Sequence, residues 1–141
     1  MRKFALLIFI ASLITFSVAC KKNNDDSNIP YVAVNLKVYP SDPSFNKLQV
    51  PGGWVYITGG SMGIVVYRIS QDEFTAFDRH STYKPENLCR IEVDKTQITA
   101  VDSCSSSQWV ITDGSVTKGP ATRPLKKYTT YWDGYALKIT N

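Results

Sequence analysis

Cys20, Cys89, Cys104, a lone His80 and the serines Ser103, Ser105, Ser106 and Ser107 are the residues whose types could do chemistry in this chain of 141 residues. Two thiols such as Cys89 and Cys104 can close a disulfide or supply half of a zinc site. Tetrahedral zinc needs four ligands, and His80 is the only other soft or borderline donor, so no metal site is expected. His80 follows Asp78 and Arg79 and could serve as a general base or a ligand. No nucleophile and orienting carboxylate recur with it in a recognised pattern, so a solvated loop histidine is expected. The serines show neither a Gly-x-Ser-x-Gly elbow nor a Ser-x-x-Lys pair. They read as a turn, since serine hydroxyls bond to nearby backbone. Gly59-Gly60-Ser61-Met62-Gly63 has the glycines of a phosphate cradle but no P-loop lysine and no following helix, so it reads as a β turn. Arg123, Lys126 and Lys127 are a small basic group, read as a solvated face. No catalytic residue is expected.

Cys20 belongs to a different context. The first residues read MRKFALLIFIASLITFSVAC, with Arg2 and Lys3 before an apolar core and Ser17, Val18 and Ala19 after it. This is the pattern of a secretory signal over residues 1–19, and its apolar stretch is too short for a good membrane span. The competing reading is an uncleaved anchor helix. A cysteine directly after a small residue resembles the lipobox of bacterial lipoproteins, which implies lipidation of Cys20. Acyl chains anchor a protein at about 0.8 kcal/mol per buried methylene. Residues 20–30 then form the lipidated end and a polar tether, and residues 31–141 the domain. The implied location is the cell envelope, with the outer membrane favoured because Lys21, not Asp, follows the cysteine. Export also places Cys89 and Cys104 in an oxidising compartment, where an even pair is expected as a disulfide. A loop of about 15 residues closed in this way stabilises by about 3 kcal/mol in chain-entropy terms. The net charge of +4 falls to about +2 once Arg2 and Lys3 are set aside. That is too little to argue for a nucleic-acid partner.

The elements that must position these residues are short strands. Val32, Val34, Leu36 and Val38 alternate with Ala33, Asn35, Lys37 and Tyr39, which predicts a half-buried strand. Further strands are expected over 54–58, 64–69, 74–78, 90–93, 97–101, 108–112, 115–117, 126–132 and 135–139. Residues 45–50 are expected as a short strand or loop. Ser70 to Glu73, Asp94 to Thr96, Asp113-Gly114 and Asp133-Gly134 fall between strands as hairpin turns, the Asp-Gly pairs through positive φ at both turn residues. No window of twelve residues has helical spacing. The expectation is one all-β domain of small antiparallel sheets, with the three Trp residues and most Phe and Tyr residues packing its core.

Several motifs in the middle of the chain point further. They are Ala76-Phe77-Asp78-Arg79-His80-Ser81-Thr82-Tyr83, Cys89, Val101-Asp102-Ser103-Cys104-Ser105-Ser106-Ser107-Gln108-Trp109, Asp113-Gly114-Ser115-Val116 and Gly119-Pro120-Ala121-Thr122-Arg123-Pro124-Leu125. Together they resemble a Rieske-type ferredoxin domain, most closely the small Rieske-like lipoproteins of Gram-negative bacteria. The likeness spans residues 50–140. It implies antiparallel sheets with two loops forming a cluster-binding tip. A Rieske [2Fe–2S] centre takes two Cys and two His. The family supplies them as Cys-x-His and Cys-x-x-His, and these positions fall on Ser81, Tyr83, Asp102 and Ser105. None is the required ligand, and one histidine cannot supply two imidazoles. Many members also carry one Cys per loop as a disulfide bracing the tip, and Cys89 and Cys104 fall there.

The resulting expectation is a lipid-anchored envelope protein whose Rieske-like domain has no cluster. It would bind or support an envelope protein partner, with the membrane reached through Cys20. The alternative is a [2Fe–2S] electron-transfer protein. A further alternative is an enzyme using His80 or the serine cluster.

Overall fold

The structure is a computed structural model that describes residues 28–141. The expected signal, Cys20 and most of the tether lie outside the described residues. Ten strands form two antiparallel sheets. The larger has six strands in the order β1 (Asn35–Val38), β10 (Leu137–Thr140), β9 (Lys127–Trp132), β4 (Phe74–Asp78), β3 (Ile64–Arg68), β2 (Trp54–Ile57). The smaller runs β5 (Ile91–Val93), β6 (Thr99–Asp102), β7 (Gln108–Val110), β8 (Val116–Lys118). Among the described residues no helix is long and apolar enough to cross a membrane.

Strands β3 and β4 of the large sheet are buried along their whole length, because both faces are covered. Ile64, Val66, Phe74 and Ala76 face one cluster, together with Val38, Val55, Leu48, Leu137 and Ile139. Val38 and Val55 come from the two edge strands, so the sheet curls to bring its edges onto one core. Val65, Tyr67 and Phe77 face the other way, onto Ile91, Ala100, Trp109 and Ile111 of the small sheet and its loop. This explains why 64–67 reads as a continuous apolar run, β-branched over Ile64 to Val66, rather than an alternation. Trp109, Tyr128 and Phe77 are fully buried, but Trp54 and Trp132 are only partly buried and Tyr31, Tyr39, Tyr56, Tyr131 and Tyr135 are exposed, so the expected aromatic core forms only in part.

Several boundaries differ from expectation. Residues 45–49 fall in a 3-10 segment, Pro43–Gln49, kinked at Phe45 and capped by Asp42, whose side chain accepts from the Ser44 N–H; Val50 follows it in extended conformation. Proline at its first turn and an Asx cap outweigh the apolar residues that suggested a strand. The first strand starts at Asn35 rather than Val32, and Gln97 sits in a turn at φ 62°. The Asp-Gly turns also work differently. Gly114 and Gly134 have positive φ, but Asp113 and Asp133 do not. Asp133 accepts from the Tyr135 and Ala136 amides, and Asp113 from the Ser115 amide and hydroxyl. Aspartate serves here as a side-chain acceptor that mimics a backbone turn, not as a left-handed residue.

Candidate functional site

The loops after β4 and β6 meet at one end of the molecule and form the tip. The disulfide between Cys89 and Cys104 joins them, with the Cα atoms 6.3 Å apart. The segment after β8 closes the third side. Its Arg123 carbonyl accepts from Thr82 Oγ1 and from Trp109 Nε1, both at 2.9 Å.

The positions that the resemblance marks as cluster ligands converge here. Asp102 is fully buried, and its carboxylate is the centre of the group. Ser81 Oγ donates to it at 2.8 Å, Ser105 Oγ at 2.7 Å and the Cys104 amide at 2.8 Å. Ser107 Oγ lies 2.8 Å from Ser105 Oγ and accepts from the Ala121 amide at 2.9 Å. Tyr83 donates its amide to Ser81 Oγ at 3.2 Å, while its ring packs on the second core. Three of the four positions thus share one carboxylate-centred network, and the fourth joins it through its backbone. A burial this deep requires such pairing, because an unbonded buried carboxylate is costly.

This donor set does not fit a Rieske [2Fe–2S] group. The cluster needs thiolates on one iron and imidazoles on the other. Here the residues are a carboxylate, two hydroxyls and a phenol, which are hard oxygen donors. Asp102 also approaches the sulfurs of Cys89 and Cys104, but those sulfurs are bonded to each other. A thiolate ligand requires the deprotonated free thiol.

Beneath the tip lies a second carboxylate centre that the sequence did not reveal. Asp78, also fully buried, accepts from the Ser61 amide at 2.6 Å, the Met62 amide at 3.2 Å, the His80 amide at 2.8 Å and Tyr128 Oη at 2.7 Å. The Gly59 to Gly63 connection is indeed a turn between strands, and its amides cradle an internal carboxylate instead of a phosphate. Gly60 is required there. At φ 61°, a Cβ would lie 2.4 Å from both Asp78 Oδ2 and Tyr128 Oη. The signal that could have revealed Asp78 is an acid ending a mostly apolar strand.

His80 corrects an expectation. It is 1% exposed, not solvated. Its Nε2 lies 2.8 Å from the Pro85 carbonyl, and its Nδ1 lies 2.8 Å from Ser61 Oγ. A carbonyl can only accept, so Nε2 donates to Pro85, and Nδ1 pairs with the Ser61 hydroxyl. Ser61 and His80 form a hydroxyl–imidazole pair, yet the amides of Ser61 and Met62 are bonded to Asp78. Those two amides are already engaged and do not stabilise an oxyanion, the species on which acyl transfer at serine depends. Lys126 departs from the solvated-face reading too. It is buried, with Nζ 3.4 Å from the Pro30 carbonyl and 5.5 Å from the Tyr31 ring. Arg123 and Lys127 are exposed as expected.

No protein-family model matches the sequence, and no curated protein matches it. Solved structures do match. The plasma membrane Rieske protein PetC3 from the cyanobacterium Synechocystis PCC 6803 has a TM-score of 0.56 and 20% identity, over 79% of this chain and 100% of that one. The ferredoxin of carbazole 1,9a-dioxygenase from Nocardioides aromaticivorans IC177 has a TM-score of 0.50 and 12% identity, over 77% of this chain and 97% of that one. The described domain has the Rieske-type fold, as the sequence motifs implied.

Proposed function

We propose that this Rieske-type domain holds no iron–sulfur cluster and belongs to a lipid-anchored cell-envelope protein whose tip binds a protein partner of the envelope. The observation that carries this reading is the Asp102 network. A cluster would need the side chains at positions 81, 83, 102 and 105 as sulfur and imidazole donors. They are instead oxygen donors, three of which already bond to one another. The anchor would be Cys20, with residues 20–30 as a tether at the outer membrane. Nucleic acid is not proposed as a partner.

Leu88 supports a binding role for the tip. Its side chain is 64% exposed, and its backbone is left-handed at φ 54°. That conformation strains a leucine, and such strain persists where the surroundings hold it and the position is used. The neighbouring disulfide and the His80–Pro85 hydrogen bond restrain the loop.

Electron transfer through a [2Fe–2S] centre is the second reading, and the likeness to PetC3 is the observation in its favour. An enzyme using His80 is less well supported, since the amides of Ser61 and Met62 beside its serine partner are bonded to Asp78.

Iron, acid-labile sulfide and the visible spectrum of residues 21–141, purified without oxygen, separate the first two readings. The expected result is neither element at stoichiometric level in a folded, disulfide-bonded sample. Iron and sulfide at about two each per chain would restore electron transfer.

A further inference from the structure

Arg68 closes β3 at the end of the large sheet opposite Asp78, and it is 4% exposed. Its Nε donates to the Ser70 carbonyl at 3.0 Å, Nη1 to the Leu48 carbonyl at 2.7 Å, and Nη2 to the Gln71 carbonyl. The rings of Phe74 and Trp132 lie against the guanidinium, with centroids 4.9 Å and 5.7 Å away. Among the described residues none of these partners is a carboxylate. A guanidinium carries five N–H donors in a fixed fork. Three are used, so one on Nη1 and one on Nη2 remain. Buried cations are ordinarily paired with an anion, because desolvation is costly and carbonyl dipoles offset only part of it.

Arg68 is among the residues that line a pocket of about 380 Å³. That volume is in the range of small-molecule sites. Arg68, Trp132, Tyr135, Gln49, Gln71 and Ser41 are among its walls. None of its lining residues is acidic, and Arg68 is the one cation among them. Trp132 packs its ring on Phe74 at 5.1 Å, and Tyr135 packs on Tyr39 at 5.5 Å, so both aromatic walls are held in place. Tyr135 is still 68% exposed and has a face to offer.

We propose that this pocket binds a small monocarboxylate with a flat apolar body. The carboxylate accepts from the two remaining N–H groups of Arg68, and the body lies against Trp132 and Tyr135. The charge match sets the class: one guanidinium without a second cation suits a monoanion better than a phosphate dianion. The geometry also separates the roles. Arginine recognises the carboxylate through its planar fork, and the rings supply apolar contact.

The test is a titration of the isotope-labelled exported protein, read at the Trp132 indole N–H by NMR. Three probes divide the chemistry. Benzoate carries both charge and ring, benzamide the ring alone, and acetate the charge alone. Benzoate is expected to shift the Trp132 signal saturably, with a Kd of about 1 mM or tighter. Benzamide and acetate are expected to bind about tenfold more weakly. Tyr135→Ala is expected to weaken benzoate severalfold while keeping a folded spectrum, since that side chain is mostly outside the core. Arg68→Lys keeps the charge, loses the fork, and is expected to weaken benzoate by about tenfold. If that variant fails to fold, the benzoate and benzamide contrast in the unaltered protein decides the matter. An unmoved Trp132 signal, or benzamide binding as well as benzoate, overturns the proposal and leaves Arg68 as a clamp between loops. The pocket is remote from the tip, so neither outcome depends on the iron result.

Discussion

Both ends of the large sheet bury charge, and they treat it differently. At the tip end, the Asp78 and Asp102 carboxylates are enclosed by donors on every side: amides, a tyrosine hydroxyl and two serines. At the far end, Arg68 meets carbonyls and rings and faces a pocket with two N–H groups remaining. The difference follows from the groups themselves. A carboxylate is a compact acceptor that a single turn of backbone can surround, as the Gly59 to Gly63 connection does. A guanidinium is a wide fork, and loop carbonyls reach only some of its donors. A saturated buried charge holds structure together. An incompletely saturated one beside a cavity is where a ligand can be recognised.

The sharpest break in this contrast would come at Gly60. Gly60→Ala drives a methyl group into Asp78 and Tyr128 and forces alanine to a positive φ. It is expected to destabilise by about 3 kcal/mol, from overpacking and backbone strain together. Chemical denaturation monitored at the tryptophans checks this; a change below about 1 kcal/mol would mean that the Asp78 cradle is pliable and not closed.

Opening the disulfide is the next largest perturbation. Non-reducing mass analysis is expected to find Cys89 joined to Cys104 in the exported protein. Reduction, or paired Cys89→Ser and Cys104→Ser changes, is expected to cost about 3 kcal/mol. The domain should still fold, because the Asp102 network and the Arg123 carbonyl clasp join the same loops. Complete unfolding on reduction would show that the network depends on the brace.

The smallest effect concerns the exposed turns. Asp133 has its pKa lowered, first by the Ala136 amide and then by the Tyr135 amide. Asp113 is lowered by the Ser115 amide and hydroxyl. A folded-state pKa below the unfolded value gives stability that is present above the ordinary carboxylate range. It is lost as pH falls through the folded-state value. The turn that carries Tyr135 is therefore expected to loosen in acid. Asp133→Asn should weaken that turn at neutral pH and flatten its acid dependence, read from amide exchange at Tyr135 and Ala136. An unchanged acid profile in Asp133→Asn would remove this role.

Much of the fold could be read from residue order because its signals are local. Alternation along 35–38, the β-branched run at 64–66 and the turn chemistry at Asp113 and Asp133 all act within a few residues. The turn mechanism was misread only in detail, since aspartate can enter a turn through either its backbone or its side chain. His80 was misread in kind. Its burial depends on Pro85 and on Ser61, which comes from another hairpin, and no spacing in the chain brings Ser61 and His80 together.

By itself, the sequence determined the all-β class and the pairing of the two remaining cysteines, which follow from residue type, count and short-range pattern. Its resemblance to the Rieske-type family implied the mismatch of Ser81, Tyr83, Asp102 and Ser105 with a cluster. Only the tertiary structure decided that those mismatched positions close on one carboxylate, that Gly60 and Asp78 lock together, and that Arg68 stays incompletely paired beside a pocket. Those outcomes depend on which distant loops supply donors and acceptors to a buried charge. That is a property of packing, because the cost of desolvating a charge is met or left unmet only where the chain brings partners to it.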